Sequence, residues 1–361
     1  MDNPELKCLA VGGQAVIEGV MMRGPSCLAV AVRNPKGELV VRDQPWRSVW
    51  ERVRFLRWPF LRGAVILFES MANGMSALAY SADIAAQGLP AEDGKPAPAA
   101  QEGTGPSLWW VLIPTLVFAL LIFKGVPHVV ALGLDAWVGG GHGTSGYLFH
   151  VLDGVIKLLL FVGYILLISR MKDVRRVFAY HGAEHKSIAA HEAGEELTVA
   201  NARKHSRFHP RCGTAFILYV IVIGVLLYMA VLPVLPPLVA TGWLNQALLI
   251  LLKIALLFPI AGLSYEVIRL AGKFGRNPLV RLMIAPGLAM QRLVTREPTD
   301  DQLEVALTSI ATALAREEAN RRAKAGEDVA VPPEREQIFA DYAAFRDGLG
   351  GWYPGRAKEP T

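Results

Sequence analysis

Four dense apolar runs dominate the pattern of hydrophobic and polar positions along the chain. They cover residues 108–123, 148–169, 215–231 and 244–263. Each run is close to the roughly 20 residues that a helix needs to cross the hydrocarbon core of a bilayer. The pattern therefore predicts a membrane α-helical protein with about four transmembrane helices in two pairs, 108–169 and 215–263.

Composition agrees with this class, and the distribution of charge orients the chain. Hydrophobic residues make up 52% of the 361 and charged residues 19%, which excludes an ordinary soluble domain of this size. Three segments, 1–107, 170–211 and 264–361, hold all but three of the 37 lysines and arginines. The positive-inside rule makes these segments cytoplasmic. We therefore expect a multi-pass protein of the inner (plasma) membrane, with both termini and a small α+β portion in the cytoplasm. Nothing in the sequence indicates nucleic-acid binding.

The first part of the amino-terminal region, 1–86, has the pattern of small β structure. Residues 27–33 and 38–42 flank the turn-forming tetrapeptide 34–37, which predicts a β-hairpin. Upstream, the stretch GGQAVIEGVMMRGP at 12–25 places four glycines and a proline around Gln14, Glu18 and Arg23. This density of special-backbone residues predicts a conformational or binding loop. Turns within a small sheet are the alternative.

The second part of this region has a helical pattern. Trp46, Trp50 and Trp58 recur among arginines at roughly helical spacing, which is typical of an amphipathic helix on anionic lipid. Residues 63–80 are apolar but are interrupted by Glu69 and Asn73, which favours an interfacial or re-entrant helix over a fifth span. A helix packed on the protein's own cytoplasmic domain is the alternative. Residues 87–107 are rich in Gly, Pro and Ala and predict a flexible linker.

The carboxy-terminal region, 264–361, is expected to be cytoplasmic and helical with a Gly/Pro-rich tail. Thr299 and Gln302 have the spacing of a capping box at a helix start. One apolar stripe follows, and it predicts a surface helix docked on another part of the protein. The stripe consists of Leu303, Ala306, Leu307, Ile310 and Leu314.

The cytoplasmic segment 170–214 carries the candidate chemistry, because it holds five of the eight histidines. His181, Glu184 and His185 form the pattern H-x-x-E-H on what should be a helix continuing out of the second span. The i, i+4 spacing puts both imidazoles on one helical face, as in zinc hydrolases whose glutamate acts as general base. The pattern predicts a divalent metal site, zinc being the metal it suits, with Glu184 as the catalytic base.

Further ligands to this metal come from two places in the same segment. At 100° per residue Glu192 returns to the stripe of His181 and His185, which makes it a candidate third ligand. His191 lies on the adjacent stripe and is an alternative ligand or a residue that supports one. His209 and Cys212, three residues apart, are donors that suit zinc.

Two other readings of these residues remain open. A purely structural zinc held by His181, His185, His209 and Cys212 would satisfy the same spacing and leave no open coordination position. A basic patch facing anionic head groups would also place histidines beside arginines at the membrane surface.

Two lysines lie where lysine is costly, inside the apolar runs. Lys157 follows Asp153 by one helical turn and pairs with it in the simplest interpretation. Lys253 has no acidic residue nearby in sequence. Because ionisable groups inside a membrane are functional candidates by default, we expect both lysines to face a shared, hydrated protein cavity.

Several blocks of the sequence resemble the YqhQ-like bacterial integral-membrane family, which is described as uncharacterised and labelled a predicted metal-dependent enzyme. These blocks are GGQAVIEGVMMRGP, YHGAEHKSI, SRFHPRCGT, SYEVIRLAGK and PGLAMQRLVTREPTDDQLEVA. The resemblance covers most of the chain except the linker and the tail. It implies an integral membrane protein whose signature blocks include His181, Glu184, His185, His209 and Cys212, and it supplies no substrate.

Two functions from different classes fit these observations. The first is a membrane-embedded, zinc-dependent hydrolase that works at the cytoplasmic face on a peptide or a lipid-linked substrate, with membrane lipid around it. The second is a non-catalytic factor for insertion or assembly of membrane proteins, with a structural metal in its cytoplasmic portion. An open coordination position on the metal would distinguish the first from the second.

Overall fold

The computed structural model describes residues 11–49, 61–87, 121–139, 146–236, 242–274 and 277–349, with a few isolated positions between these ranges. The predicted linker, apart from Gln87, and most of the predicted tail lie outside the described residues. The elements in chain order are β1 Gly12–Val16, β2 Gly19–Arg23, β3 Cys27–Arg33, β4 Leu39–Pro45, α1 Leu61–Ala86, the π-helix Leu121–Gly125, α2 Val126–Trp137, α3 Tyr147–Ile168, α4 Lys172–Glu192, α5 Val199–Lys204, α6 Gly213–Val231, the 3₁₀ turn Leu232–Val234, α7 Gly242–Ala255, α8 Leu257–Phe274, α9 Pro278–Val294, α10 Asp300–Lys324, β5 Arg335–Phe339 and α11 Tyr342–Leu349.

Four helical stretches are long and apolar enough to cross a membrane. They are Val117–Trp137, Tyr147–Ile168, Gly213–Val234 and Leu251–Leu270. The second and third stretches match the runs 148–169 and 215–231, and the mostly helical class and the number of candidate spans are confirmed. The first stretch shares only residues 117–123 with the predicted run 108–123 and continues to Trp137. The fourth stretch lies several residues later than the predicted run 244–263, and it includes the break at Leu256 between α7 and α8. Pro259 lies in the first turn of α8, where its missing N–H is tolerated.

An antiparallel sheet in the order β1-β2-β3-β4-β5 is the second part of the fold. The hairpin expected around residues 34–37 is formed by β3 and β4, in which Cys27 pairs with Pro45 and Arg33 with Leu39. The expectation of a shaped loop at 12–25 is wrong. These residues form the tight hairpin β1–β2, with only Ile17 and Glu18 between its strands. Glu18, the second residue of this turn, has φ +52°, as in a type II turn.

Both faces of the sheet are covered by helices. One face packs against α4 and α10 around residues such as Met22, Leu39 and Leu307. The other face packs against the second half of α1, where Ala77 and Ile84 join Val30 and its neighbours. We call the sheet with α4, α10 and the second half of α1 the sheet domain. Because alternate residues of an antiparallel strand point to opposite faces, covering both faces buries nearly every side chain of the central strands.

Helix α1 is one continuous helix through residues 63–80, so a re-entrant segment is wrong there and an interfacial position stays a prediction. Its second half lies on the sheet, and its first half packs against α8, where Gly63 approaches the Ala261 carbonyl and Tyr265. Arg62 also forms an ion pair with Glu266. Packing on the protein itself was the alternative interpretation, and it is the one the structure supports. Trp46 likewise packs against the sheet face, while most of residues 50–60 lie outside the described residues.

The predicted surface helix is instead the central helix of the sheet domain. Helix α10 begins with the expected capping box of Thr299 and Gln302, but its residues from Gln302 to Leu314 are nearly all buried. Two of its buried hydroxyls bond to carbonyl oxygens: Ser309 donates to that of Ala29, 3.1 Å, and Thr312 donates to that of Thr308, 2.8 Å. The prediction from a single apolar stripe therefore gave this helix less burial than the structure shows.

The carboxy-terminal residues complete the sheet domain rather than forming a separate region. Strand β5 pairs antiparallel with β4, with Leu39 opposite Phe339. Regions 1–86 and 264–361, predicted as two units, therefore share one core. Helix α4 connects this core to the spans, and it does not run continuously out of α3, because the chain turns at residues 169–171 before α4 begins at Lys172.

Candidate metal centre

Helix α4 carries the H-x-x-E-H pattern into the interior of the protein. Its residues from Ala179 to Ser187 are buried between β1, β2 and α10. Gly182 allows the segment after α9 to approach closely, because a Cβ at this position would collide with the Arg296 carbonyl oxygen. The backbone of the same segment bonds to α4, since the Arg296 N–H donates to the Phe178 carbonyl oxygen, 2.8 Å.

Three potential ligand atoms converge on one point beside α4. They belong to His181, His185 and Cys212, and they all lie within 4.8 Å of one another. The imidazole rings are 4.4 Å apart between centroids, and Cys212 Sγ lies 3.3 Å from His181 Nε2. Donor atoms around a tetrahedral zinc are roughly 3.3–3.8 Å apart, as follows from bonds of about 2.0–2.3 Å. The three side chains would therefore need only a small contraction to bind one ion.

Backbone carbonyls orient both imidazoles. His181 Nδ1 lies 2.8 Å from the Val294 carbonyl oxygen, and His185 Nδ1 lies 2.6 Å from that of Arg207. A carbonyl oxygen can only accept, so each Nδ1 carries a proton and each Nε2 is the nitrogen that faces the centre. His185 Nε2 is buried without a hydrogen-bond partner among the described residues. A neutral imidazole with its far nitrogen bonded to a carbonyl is the usual arrangement of a metal-binding histidine.

Cys212 lies at the start of a candidate span, as the residue that precedes helix α6. Burial alone would raise the pKa of its thiol, but the facing His181 holds it well below the ordinary value of a cysteine. Burial likewise opposes the charged form of His181, whereas the Cys212 sulfur raises the pKa of that imidazole to about 9. The two groups thus share a proton that a metal ion would displace on binding. The Thr214 hydroxyl, 2.9 Å from Sγ, supports the sulfur from the other side.

Glu184 lies beside the three donors and is buried to the same degree. Its Oε2 has no hydrogen-bond partner among the described residues. Burial raises the pKa of this carboxyl group, and the imidazoles of His181 and His185 oppose that rise. Strand β1 covers the carboxylate at Gly13, where a Cβ would stand 2.7 Å from Glu184 Cγ. A buried carboxyl group with an unused oxygen can act as a fourth ligand or as a proton acceptor.

His209 and Glu192 lie next to the centre and interact with each other. His209 Nε2 lies 3.3 Å from Glu192 Oε2, and its Nδ1 accepts from the Arg211 N–H, 3.4 Å. Both ring nitrogens are therefore engaged. Glu192 is exposed at the last residue of α4 and forms an ion pair with Arg211. The structure does not bring either residue into the group of three donors, and their role as ligands stays a prediction.

The remaining candidates of the sequence lie around this centre. His191 Nε2 lies 3.1 Å from the Leu9 carbonyl oxygen, and His205 Nε2 lies 3.1 Å from Glu195 Oε2. Glu18 forms an ion pair with Arg176 and so attaches the β1–β2 turn to α4. Gln14 faces Gly74 of α1, which leaves no room for a Cβ there. Arg23 donates to Ser70 Oγ at 3.2 Å and lies over the Trp46 ring.

The intramembrane candidates are far from the metal centre, among the span-length helices. Lys157 forms the expected ion pair with Asp153, and both line a cavity of about 90 Å³. Lys253 is half-buried, and its carbonyl oxygen accepts from the Tyr228 hydroxyl, 3.1 Å. Tyr228 lines the same cavity, whereas Lys253 is not among its lining residues.

Sequence reasoning missed the groups that orient the ligands. Gln291 is buried and bonds the backbone of His209 twice, accepting from its N–H at 2.8 Å and donating to its carbonyl at 2.7 Å. The Val294 carbonyl orients His181, and Thr214 bonds Cys212. The sequence indicated these residues only by their position in the family blocks: Gln291 and Val294 lie in PGLAMQRLVTREPTDDQLEVA, and Thr214 lies in SRFHPRCGT.

These features define a class of protein: a helical membrane protein with four candidate spans, a folded sheet domain and a buried His/Cys centre where the two meet. Comparison with known proteins then identifies the family. The chain belongs to the family described as "Protein of unknown function (DUF1385)", whose model matches residues 58–316. It is 34% identical over 301 residues to "Uncharacterized protein YqhQ" of Bacillus subtilis (strain 168). The aligned residues make up 83% of this chain and 91% of that relative. The predicted family is thereby confirmed. No solved structure matches the chain.

Proposed function

We propose that this protein is a zinc-dependent hydrolase of the bacterial inner membrane, with its centre at the cytoplasmic face. One observation carries the proposal: the Nε2 atoms of His181 and His185 and the Sγ atom of Cys212 converge within 4.8 Å, with both imidazoles oriented by backbone carbonyls. The substrate class that fits a centre at the start of a span is a peptide or a lipid-linked molecule.

The residues divide the chemistry between binding and proton transfer. His181, His185 and Cys212 would hold the ion, and three protein ligands leave one of the four positions of a tetrahedral zinc available. A zinc ion there would supply a Lewis acid that lowers the pKa of a water and polarises a carbonyl. Glu184 would accept the proton released by that water, which its unbonded Oε2 and raised pKa permit.

Charge supports the cytoplasmic position of the centre. The segments 1–107, 170–211 and 264–361, which flank the candidate spans on one side, hold nearly all of the lysines and arginines. Single cysteines introduced at the exposed Ala193 and near Gly141 should therefore react differently in intact cells. An impermeant thiol reagent should label the position near Gly141 and leave the one at Ala193 unmodified until the cells are permeabilised; the reverse pattern would contradict the topology.

The second candidate function is a non-catalytic assembly factor whose metal is structural. The observation that favours it is that the centre is closed to solvent, since Glu184, His185 and Cys212 are all at most 5% exposed. In this alternative Glu184 is the fourth ligand, and no position remains for a substrate. Both candidates therefore require metal binding and differ in the number of protein ligands.

Metal content of the detergent-purified full-length protein tests what the two candidates share. Wild type should bind about one zinc per chain, and His181→Ala, His185→Ala and Cys212→Ser should each lose most of it, because two remaining donors do not close the shell. His205→Ala is the matched control, because His205 contacts Glu195 and lies outside the group of three donors. Equal zinc in wild type and all three donor variants would end both candidates.

Cobalt substitution then separates the two. If three protein ligands hold the ion, adding azide or cyanide should change the visible absorption of the cobalt protein, and Glu184→Gln should retain the metal. If Glu184 is a ligand, the added anion should leave the absorption spectrum unchanged and Glu184→Gln should lose metal. The second result would contradict the hydrolase proposal and favour the structural one.

A further inference from the structure

A polar cavity lies among the span-length helices, far from the His/Cys centre. Its volume is about 90 Å³, and all four candidate spans contribute to its lining. The polar lining residues are Lys124, His150, Asp153, Lys157 and Tyr228. A cavity with this many ionisable groups is costly within apolar helices, which makes a functional role the default expectation.

The charges of this cavity do not balance. Lys157 and Asp153 form an ion pair and cancel each other. Lys124 is a second ammonium group, and no carboxylate among the described residues pairs with it. Asp153 Oδ1 is buried and has no hydrogen-bond partner in the part of the chain that the structure describes. The cavity thus offers a free positive charge together with an unused hydrogen-bond acceptor.

The backbone at Lys124 is itself unusual. Lys124 lies on the π-helix Leu121–Gly125, within the candidate span Val117–Trp137. Single turns of π-helix are rare and frequently mark functional sites, because they redirect side chains that a regular α-helix would place elsewhere. Here the turn brings Lys124 to the rim of the cavity, where its side chain is exposed on the flank of the bundle.

Size limits what can bind. Ligand pockets for drug-sized molecules are roughly 300–1,000 Å³, so about 90 Å³ is too small for a polypeptide segment or a large substrate. It has room for one small polar group, since a buried water needs only about 10–15 Å³ of this kind of space. The occupant must be anionic to compensate Lys124, and it must carry a hydrogen-bond donor for Asp153 Oδ1.

We infer that this cavity binds a phosphate group that retains a hydroxyl, either a monoester or inorganic phosphate, with anionic oxygens toward Lys124 and Lys157 and the hydroxyl donating to Asp153 Oδ1. The group is the head of an anionic lipid that enters from the exposed flank at Lys124, or it is free phosphate. The inference is independent of the proposed hydrolase, because none of the cavity residues contacts the His/Cys centre.

Thermal unfolding of the full-length protein in detergent tests the site. The probes are dioleoyl phosphatidate and sodium phosphate, with dioleoyl phosphatidylcholine and sodium sulfate as comparisons at matched ionic strength. Phosphatidate or phosphate should raise the unfolding midpoint saturably, because a ligand that binds only the folded state stabilises it. Phosphatidate alone identifies a lipid ligand, and phosphate alone a free anion. Lys124→Met should weaken the apparent affinity at least tenfold.

Two control variants test whether a loss of affinity is specific to the cavity. Lys172→Met, which removes an exposed lysine outside the candidate spans, should leave the affinity unchanged. His181→Ala should also keep it, so that a failure of the metal centre and a failure of this site can be told apart. Equal binding by wild type and Lys124→Met, equal stabilisation by phosphatidylcholine, or no saturable shift with either phosphate probe would overturn the inference. Sulfate, which lacks a hydroxyl at neutral pH, should bind more weakly than phosphate; equal binding would overturn the role of Asp153.

Discussion

Two buried carboxylates in the sheet domain have opposite surroundings. Asp43 is fully buried and forms an ion pair with Arg316, whose guanidinium also donates to the Pro332 carbonyl oxygen at 2.7 Å. Glu184 is buried to a similar extent but faces two imidazoles and a thiol, and its Oε2 has no hydrogen-bond partner among the described residues. A buried charge without its partner is strongly destabilising.

The difference separates a structural polar group from the one for which we propose a function. Arg316 and Asp43 join the central helix α10 to strand β4, and both lie within the core of the domain. Glu184 and the three donors join α4 to the start of α6, and the Val294 carbonyl at the end of α9 orients His181. A site whose polar groups are complete only when an ion is bound should respond to that ion, whereas the pair should not.

The largest effect is expected at the structural pair. Arg316→Met should destabilise the protein by about 3–5 kcal/mol, because it leaves Asp43 buried and uncompensated. The measurement is the free energy of unfolding of the detergent-purified protein. Arg322→Ala, at an exposed pair with Glu327, should change it by less than about 1 kcal/mol. If both variants behaved alike, the Arg316 pair would not be the structural element that we describe.

Metal removal should have the next largest effect, and only at the functional centre. At a zinc concentration about 100 times the dissociation constant, binding stabilises the folded state by about 2.7 kcal/mol. A chelator should therefore lower the unfolding midpoint of wild type and leave Cys212→Ser, already without metal, unchanged. An equal decrease in both proteins would mean that the chelator acts elsewhere. It would contradict the functional role that distinguishes Glu184 from Asp43.

A smaller effect is expected at the glycine that lets the centre form. Gly182→Ala should cost about 1–3 kcal/mol, because the new Cβ would collide with the Arg296 carbonyl oxygen. It should also lower zinc affinity about 10–100-fold by displacing the segment whose Val294 carbonyl orients His181. Gly163→Ala, at a helical position with open space around it, is the matched control and should be neutral or slightly stabilising. Unchanged zinc affinity in Gly182→Ala would show that the orienting carbonyl is dispensable.

The smallest effect concerns the charge of Glu184 itself in the metal-free protein. Burial raises the pKa of Glu184 in the folded state, so the folded protein keeps its proton where the unfolded chain has lost it. Stability must then fall as the pH rises from the unfolded pKa toward the folded one. Glu184→Gln removes this titration, and the metal-free variant should be more stable than metal-free wild type at neutral pH. Unfolding midpoints in chelator between pH 5 and pH 8 measure the difference, which should shrink at the acid end.

Patterns with a short period were predicted correctly because their cause is local. The number of span-length helices follows from the continuous apolar runs, although the first helix lies later in the chain than its run, and the capping box of Thr299 and Gln302 spans only four residues. The placement of His181 and His185 on one helical face also follows from helix geometry alone. Helical spacing was insufficient for Glu192, since that residue lies on the same stripe but at the exposed end of α4, where Arg211 pairs with it.

The sequence by itself thus determined the class of protein, the family blocks and the pair of imidazoles on α4. Only the tertiary structure decided that Cys212 meets His181 across 31 residues and that the Val294 carbonyl meets it across 113. It also decided that β5 completes the sheet begun by residues 12–45, and that α10 is buried on all sides rather than along one stripe. The physical reason is that side-chain periodicity reports how a segment faces its surroundings, whereas contacts between distant segments depend on how whole elements pack against one another.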